Sequence, residues 1–186
     1  QAWLTPLRQS AIAAFDKLGF PTTEHEEWRF TNLAPIVSTD FSLPQPGSGR
    51  VTAEDLKRFA VEDLEAHQLV FIDGHFSREL STPGELPRGV VLTNLADAIE
   101  RHRDLVEPHL AKHAPFEDQA FTALNTAFMH DGVFLHVPRG VALDTAVHAL
   151  FIATSNAGPV VTHPRNLIIV GAAAQATFVE DYVSMS

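Results

Sequence analysis

Apolar residues recur at helical spacing through the first two thirds of the chain. After Met129 they give way to short β-branched runs broken by Gly and Pro. In the opening stretch Leu7, Ala11, Ala14, Phe15 and Leu18 fall on one helical face. Thr5 stands before Pro6, which predicts an N-cap followed by proline at the first helical position, where a missing N–H costs nothing. Gly19 and Pro21 end that helix. Thr23 with Glu26 predicts a capping box for a short turn through Trp28 and Phe30. These two aromatics read as the core of a small N-terminal unit, with a loss of about 3–5 kcal/mol expected for Trp28→Ala.

Residues 43–49 form a Pro/Gly/Ser linker. Thr52 then caps a further helix, with Glu54 and Asp55 in its first turn and Leu56 and Phe59 on its apolar face. The run 69–76 is a strand that meets Asp73-Gly74, a dipeptide suited to positive φ at both turn positions, so a tight hairpin is predicted. A short strand over 89–92 leads to a helix over 95–99, capped by Thr93 or Asn94. Segments 105–113 and 120–129 look helical, with Pro115 between them. Beyond Gly132, residues 133–137, 146–153, 166–170 and 175–183 read as strands. Turns at 138–140, 156–159 and Gly171 separate them. The pattern divides the chain into a mainly helical unit, 1–129, containing a hairpin near 69–76, and a β unit, 130–186. The final strand runs almost to Ser186 and presents an apolar edge, and the first residue is Gln1. The chain is therefore expected to be a fragment that associates or aggregates when expressed alone.

With 45% hydrophobic residues and a mean hydropathy of +0.02, the composition is that of an ordinary globular protein. The formal net charge of −10 argues against nucleic acid and anionic membranes as partners, since both require an excess of Lys and Arg. There is no cysteine, which removes disulfides, thiolate catalysis and cysteine-ligated clusters within this chain. No run approaches the roughly 18 apolar residues of a membrane helix. The start lacks the basic and apolar regions of a signal peptide. A cytoplasmic location is expected.

Ten histidines raise the question of metal. His109 and His113 stand four apart in a helical stretch, a spacing that can bring two imidazoles to one ion. Pro108 and Pro115 flank them, and a frayed helix end with cationic partners for the dipole is the simpler reading. His136, His148, His163 and Glu180 lie on β segments, where convergence would make a cupin-like metalloenzyme the alternative function. The close His-x-His pair of a cupin is missing, and His148 shares a strand face with Ala146, Leu150 and Ile152. Gly171 to Ala174 lacks the second glycine and the lysine of a phosphate loop. No G-x-S-x-G elbow occurs. Glu24, Glu26 and Glu27 cluster on an exposed cap. No catalytic, cofactor-binding or metal-ligating residue is assigned.

Three ordered stretches carry a resemblance. Leu18-Gly19-Phe20-Pro21-Thr22 is followed by Glu27-Trp28-Arg29-Phe30-Thr31-Asn32-Leu33. Phe71-Ile72-Asp73-Gly74 comes next. Last come Leu124-Asn125 through Asp131-Gly132, Phe134, Val137-Pro138 and Gly140, then Pro164-Arg165-Asn166-Leu167 and Phe178-Val179-Glu180. Together they resemble the SufB/SufD family of iron–sulfur cluster assembly scaffolds, and the opening stretch favours the SufD type over SufB. The resemblance implies an α+β fold: a small helical N-terminal domain followed by the first rungs of a right-handed parallel β-helix, truncated here. It also implies a non-enzymatic scaffold that pairs with a SufB-like subunit and a SufC-like ABC-type ATPase, whose docking region is expected outside this chain. No cofactor is expected in the fragment itself, the iron–sulfur cluster being built by the whole complex. A β-helix acting on carbohydrate is disfavoured. After Gly132 the aromatics are Phe134, Phe151, Phe178 and Tyr182, set mostly in apolar runs.

Overall fold

The computed structural model describes residues 2–47, 49–61, 64–154 and 158–185. In chain order the helices are α1 (Thr5–Leu18), α2 (Ala34–Val37), α3 (Ala53–Leu56), α4 (Leu95–Arg101), α5 (Arg103–Val106) and α6 (Ala120–Phe128). The strands are β1 (Ala66–Ile72), β2 (His75–Thr82), β3 (Val91–Asn94), β4 (Val133–Val137), β5 (Ala146–Thr154), β6 (Leu167–Val170) and β7 (Phe178–Met185). The result is a mixed α+β fold with two mixed sheets, ordered β2-β1-β5-β7 and β3-β4-β6. Strands from before and after Met129 share both sheets: β1 pairs parallel with β5, and β3 pairs antiparallel with β4.

β5 shows why the later apolar runs are strands without clean alternation. It is buried along nearly its whole length, as a central strand covered on both faces must be. Val147, Ala149 and Phe151 face the other sheet and pack with Leu69, Phe71, Leu92, Val133, Leu135 and Val137. Leu150 and Ile152 face the opposite way, with Val70, against Val51, Leu56 and Phe59. The outer face of the three-stranded sheet is covered by α4, α5 and the N-terminal turn through Leu4, Leu95, Ile99, Val106 and Phe134. Farther out, α1 packs on α6 through Ala11, Ala123 and Ala127, with Phe116.

The two sheets advance together. β4 pairs parallel with β6 at Phe134↔Leu167, and β5 pairs parallel with β7 at Val147↔Phe178. The turn between the members of each pair is bonded as well. Gly171 N donates to Val137 O (2.8 Å), Gly140 N to Ala172 O (3.0 Å), Gln175 N to Val141 O (3.0 Å) and Leu143 N to Gln175 O (2.8 Å). The path β6–turn–β7 therefore lies directly on the path β4–turn–β5. Phe71, Phe151 and Tyr182 stack across β1, β5 and β7 with ring centroids 4.7 and 4.8 Å apart, the register that parallel pairing imposes.

The predicted hairpin is present. Asp73 (φ 47) and Gly74 (φ 80) form the turn between β1 and β2, as a two-residue loop of this twist requires. Thr52 caps α3 through a capping box with Asp55, and Asn94 precedes α4. The linker over 43–49 is loop at its described positions, Ser48 lying outside them. Asn156 of the predicted turn at 156–159 also lies outside the described residues.

Several local expectations are corrected. Thr5 is not the cap of α1: a 3-10 turn, Ala2–Leu4, runs straight into the helix and buries Leu4, so Thr5 is already helical. Thr23 and Glu26 make no capping box. Instead Thr22 N donates to His25 Nδ1 (3.0 Å) and closes the preceding turn. The helix predicted over 105–113 stops at Val106; Pro108 has no N–H to continue it, and Ala111 takes φ 58. Phe30 is not core but 94% exposed, lying beneath the Arg29 guanidinium. Trp28 is half-buried, its ring against Phe121 of α6 with centroids 5.1 Å apart. Residues 22–31 are a chain of turns, and such a chain lays one side chain on a neighbour without enclosing the next.

Candidate functional site

The signature stretch after Leu124 folds into a junction. Asp131 follows the end of α6 and is buried. Its carboxylate accepts from Asn94 Nδ2 (3.0 and 3.2 Å), Ala96 N (3.0 Å) and Gly132 N (2.9 Å). The Ala96 N–H is one of the first-turn donors of α4 that have no partner within the helix, so Asp131 supplies the cap from outside. Burial raises the Asp131 pKa, while the hydrogen bonds from Ala96, Gly132 and Asn94 and the neighbouring His130 oppose that shift.

On the other side stands Arg165. Its backbone N donates to Asp131 O (3.0 Å). Its Nε donates to Asn125 Oδ1 (2.8 Å) and its Nη2 to Thr126 Oγ1 (2.6 Å), both on α6. Asn125 Nδ2 in turn donates to Pro164 O (2.8 Å). Asn166 Oδ1 accepts from Val133 N (2.7 Å), and Asn166 Nδ2 donates to Glu180 Oε1 (2.8 Å). Gly132 leaves no room for a side chain: a Cβ there would stand 2.2 Å from Arg165 O. The polar groups of the signature thus partner one another. They tie α6, the start of α4 and the β6–β7 layer into one unit, which is the chemistry of a latch rather than of a reactive centre.

Beyond the latch lies an open edge. Among the described residues β6 and β7 have a strand neighbour on one side only, and they form one continuous layer. Large apolar side chains are exposed there: Ile168 at 39%, Val170 at 44% and Tyr182 at 60%. A row of free backbone donors and acceptors beside exposed apolar groups is a template for another strand.

The histidine candidates separate. His109 and His113 do meet, Nδ1 to Nε2 at 3.4 Å, on an exposed surface. His136, His148, His163 and Glu180 do not converge. His136 is on β4, with Nδ1 buried and no hydrogen-bond partner among the described residues. His148 is buried on β5 between Gln68 (Nε2 to Nδ1, 3.2 Å) and Asp181 (Nε2 to Oδ2, 2.8 Å). His163 stacks on Phe128, centroids 5.4 Å apart, and burial lowers its pKa. Glu180 accepts from Asn166 and from the Tyr182 hydroxyl (2.5 Å). Among the described residues no group of three or more His, Asp or Glu is placed to hold a metal ion. Glu24, Glu26 and Glu27 are exposed. Gly171 to Ala174 is the turn stacked on 137–143.

Sequence reasoning missed the partnerships of Asn94, Asp131, Arg165 and Asn166. The signal was in the chain as Asp131-Gly132 and Pro164-Arg165-Asn166, two polar clusters breaking apolar runs, but nothing in spacing shows that they meet.

A family model described as the SufBD protein N-terminal region matches residues 1–149. An iron–sulfur cluster assembly SufBD family protein of Synechocystis sp. is 30% identical over 96% of this chain, spanning 39% of that relative. The iron–sulfur cluster assembly protein SufD of Bacillus subtilis is 30% identical over 98% of the chain and 42% of its own length. The corresponding SufB of Bacillus subtilis is 36% identical over 89% of the chain and 27% of its length. The chain thus spans less than half of each of these relatives. With that family model matching from residue 1 to residue 149, the chain belongs to the SufBD family through that family's N-terminal region.

Proposed function

We propose that this chain is part of a SufD-type scaffold subunit for iron–sulfur cluster assembly. It acts without catalytic residues of its own, beside a SufB-like subunit and an ABC-type ATPase in the cytoplasm. The observation that carries the reading is the similarity to a SufD protein along 98% of the chain, together with the resemblance of the Leu18–Thr22 and Glu27–Leu33 stretches to the SufD type. The absence of cysteine suits a supporting role in which the cluster is cargo assembled elsewhere in the complex. Among the described residues no helix is long and apolar enough to cross a membrane.

The same reading includes the shape of the β region. We propose that the two parallel pairings and the bonded turn between them are successive coils of a right-handed β-helix. A solenoid of this kind stacks each coil on the one before it and offers its last coil for stacking. Among the described residues β6 and β7 form the outermost layer of this stack.

The test uses the complete polypeptide that carries this sequence, tagged in its native host and purified gently. Recovery with a near-stoichiometric ABC-type ATPase and a SufB-like protein is the expected result. Recovery alone with bound transition metal would overturn the scaffold reading and favour a metalloenzyme.

A further inference from the structure

Arg8 of α1, the end of α6, the β1–β2 turn and residues 43–45 and 161–163 line a cleft apart from the sheet edges. It has a volume of about 340 Å³ and opens into an apolar groove of about 710 Å³. Phe128 and Leu43 line both. The groove is walled by Ile36, Val37 and Phe41, which with Leu43 and Phe128 are 42–56% exposed. The cleft ends in Arg8, His75 and His130.

The chemistry of that end is lopsided. Arg8 gives Nη2 to Met129 O (2.9 Å), while its Nε is buried with no hydrogen-bond partner among the described residues. His75 donates Nε2–H to Pro44 O (3.1 Å), and its ring meets His130 edge-on with centroids 5.1 Å apart. One carboxylate, Asp73, lines the cleft and none lines the groove. Both Asp73 oxygens are already occupied, by Thr154 N (2.7 Å) and Thr154 Oγ1 (2.6 Å). Arg8 lines this end of the cleft and makes no ion pair among the described residues. In a chain of net charge −10, an unmatched guanidinium and two imidazoles at the head of an apolar groove select a negative head group on an apolar tail.

We propose that this cleft binds a small amphipathic carboxylate, with its head at Arg8, His75 and His130 and its tail along Phe128, Phe41 and Val37. The two volumes lie in the range of small-molecule sites, roughly 300–1,000 Å³. Charge-assisted hydrogen bonds to Arg and His fix the head, and burial of the exposed walls holds the tail. The site stands apart from the scaffold role and does not depend on it.

Phe121 lines the groove and touches Trp28, one of two tryptophans in the chain, so occupancy should change Trp28 emission. The experiment titrates the complete polypeptide with decanoate, decyltrimethylammonium and acetate, all below micelle formation, by fluorescence and calorimetry. Decanoate should saturate at one per chain, and acetate should show no saturation. The decyl cation should bind at least about tenfold more weakly, the scale of losing a charge-assisted pair. His130→Gln, on an exposed ring, should weaken decanoate roughly threefold or more with an unchanged thermal midpoint. Arg8→Gln should weaken it further. Equal affinity for the anionic and cationic probes, or wild-type affinity in His130→Gln, would reduce the groove to a nonspecific apolar surface and overturn the proposal.

Discussion

Residues 26–43 and residues 133–151 are both rich in large apolar side chains, and they end in opposite environments. In the first segment Phe30, Ile36, Val37, Phe41 and Leu43 are 42–94% exposed. In the second, Phe134, Leu135 and Leu150 are fully buried. The difference lies in the backbone. β4 and β5 each have hydrogen-bonded neighbours on both sides and a covered face above and below. Residues 26–43 hold a three-residue 3-10 helix, a four-residue α-helix and a series of turns, too short to organise an apolar face without support. Apolar content marks what is available for burial; paired backbone decides what is buried.

The sharpest way to break this contrast is at the point where the buried region is closed. Gly132→Ala places a methyl group against the Arg165 carbonyl, a backbone atom that cannot swing aside. The substitution should cost more than about 4 kcal/mol, the range reached when a buried contact is over-packed and a polar network is broken together. Urea denaturation or the soluble yield of the variant reads this directly. A variant with wild-type stability would mean that the latch gives more than its geometry allows.

A matched pair of truncations measures the contrast itself. Phe134→Ala should lose about 3–5 kcal/mol, whereas Phe30→Ala should stay within about 0.5 kcal/mol. Trp28→Ala belongs between them. Its ring is half-buried against Phe121, so a loss of about 1–2 kcal/mol is expected, less than the core position its sequence suggests. Chemical denaturation of the three variants should rank them in that order, and equal losses at Phe30 and Phe134 would erase the distinction. Arg165→Met comes next in scale. It leaves Asn125 Oδ1 and Thr126 Oγ1 without their donor and should cost about 1–3 kcal/mol.

The contrast also explains what was legible in the sequence. Strands β4 and β5, the Asp73-Gly74 hairpin and the Thr52 cap depend on local signals: β-branched runs, a dipeptide suited to positive φ, a hydroxyl three residues before a carboxylate. All of them are written in adjacent residues. Trp28 and Phe30 depend on what lies opposite them, and the partner is Phe121, ninety-three residues beyond Trp28. The latch is non-local in the same way. Asn94, Asp131 and Arg165 each look like an ordinary loop residue, and their roles exist only once α6, α4 and the β6–β7 layer have met. The cleft at Arg8, His75 and His130 draws on three elements that share no sequence pattern, and it was invisible for that reason.

The smallest effect is expected at a stack that belongs to neither segment. His163 sits in the loop before β6 and stacks on Phe128, half-buried. Burial disfavours its charged form and places its folded pKa below the ordinary histidine value of 6.5. Above that pH the imidazole is neutral in both folded and unfolded chains, and its packing contributes in full. As the pH falls below 6.5, the unfolded chain takes up the proton first, so stability is lost until the folded pKa is passed. Below the folded value both states are charged and the dependence ends. Urea midpoints between about pH 8 and about pH 5 should therefore fall more steeply for the wild type than for His163→Phe, which keeps the stack and removes the titration. If the two profiles run parallel, His163 is as open to water in the folded protein as in the unfolded chain, and the boundary of the buried region lies farther toward β6 than the Phe128 stack indicates.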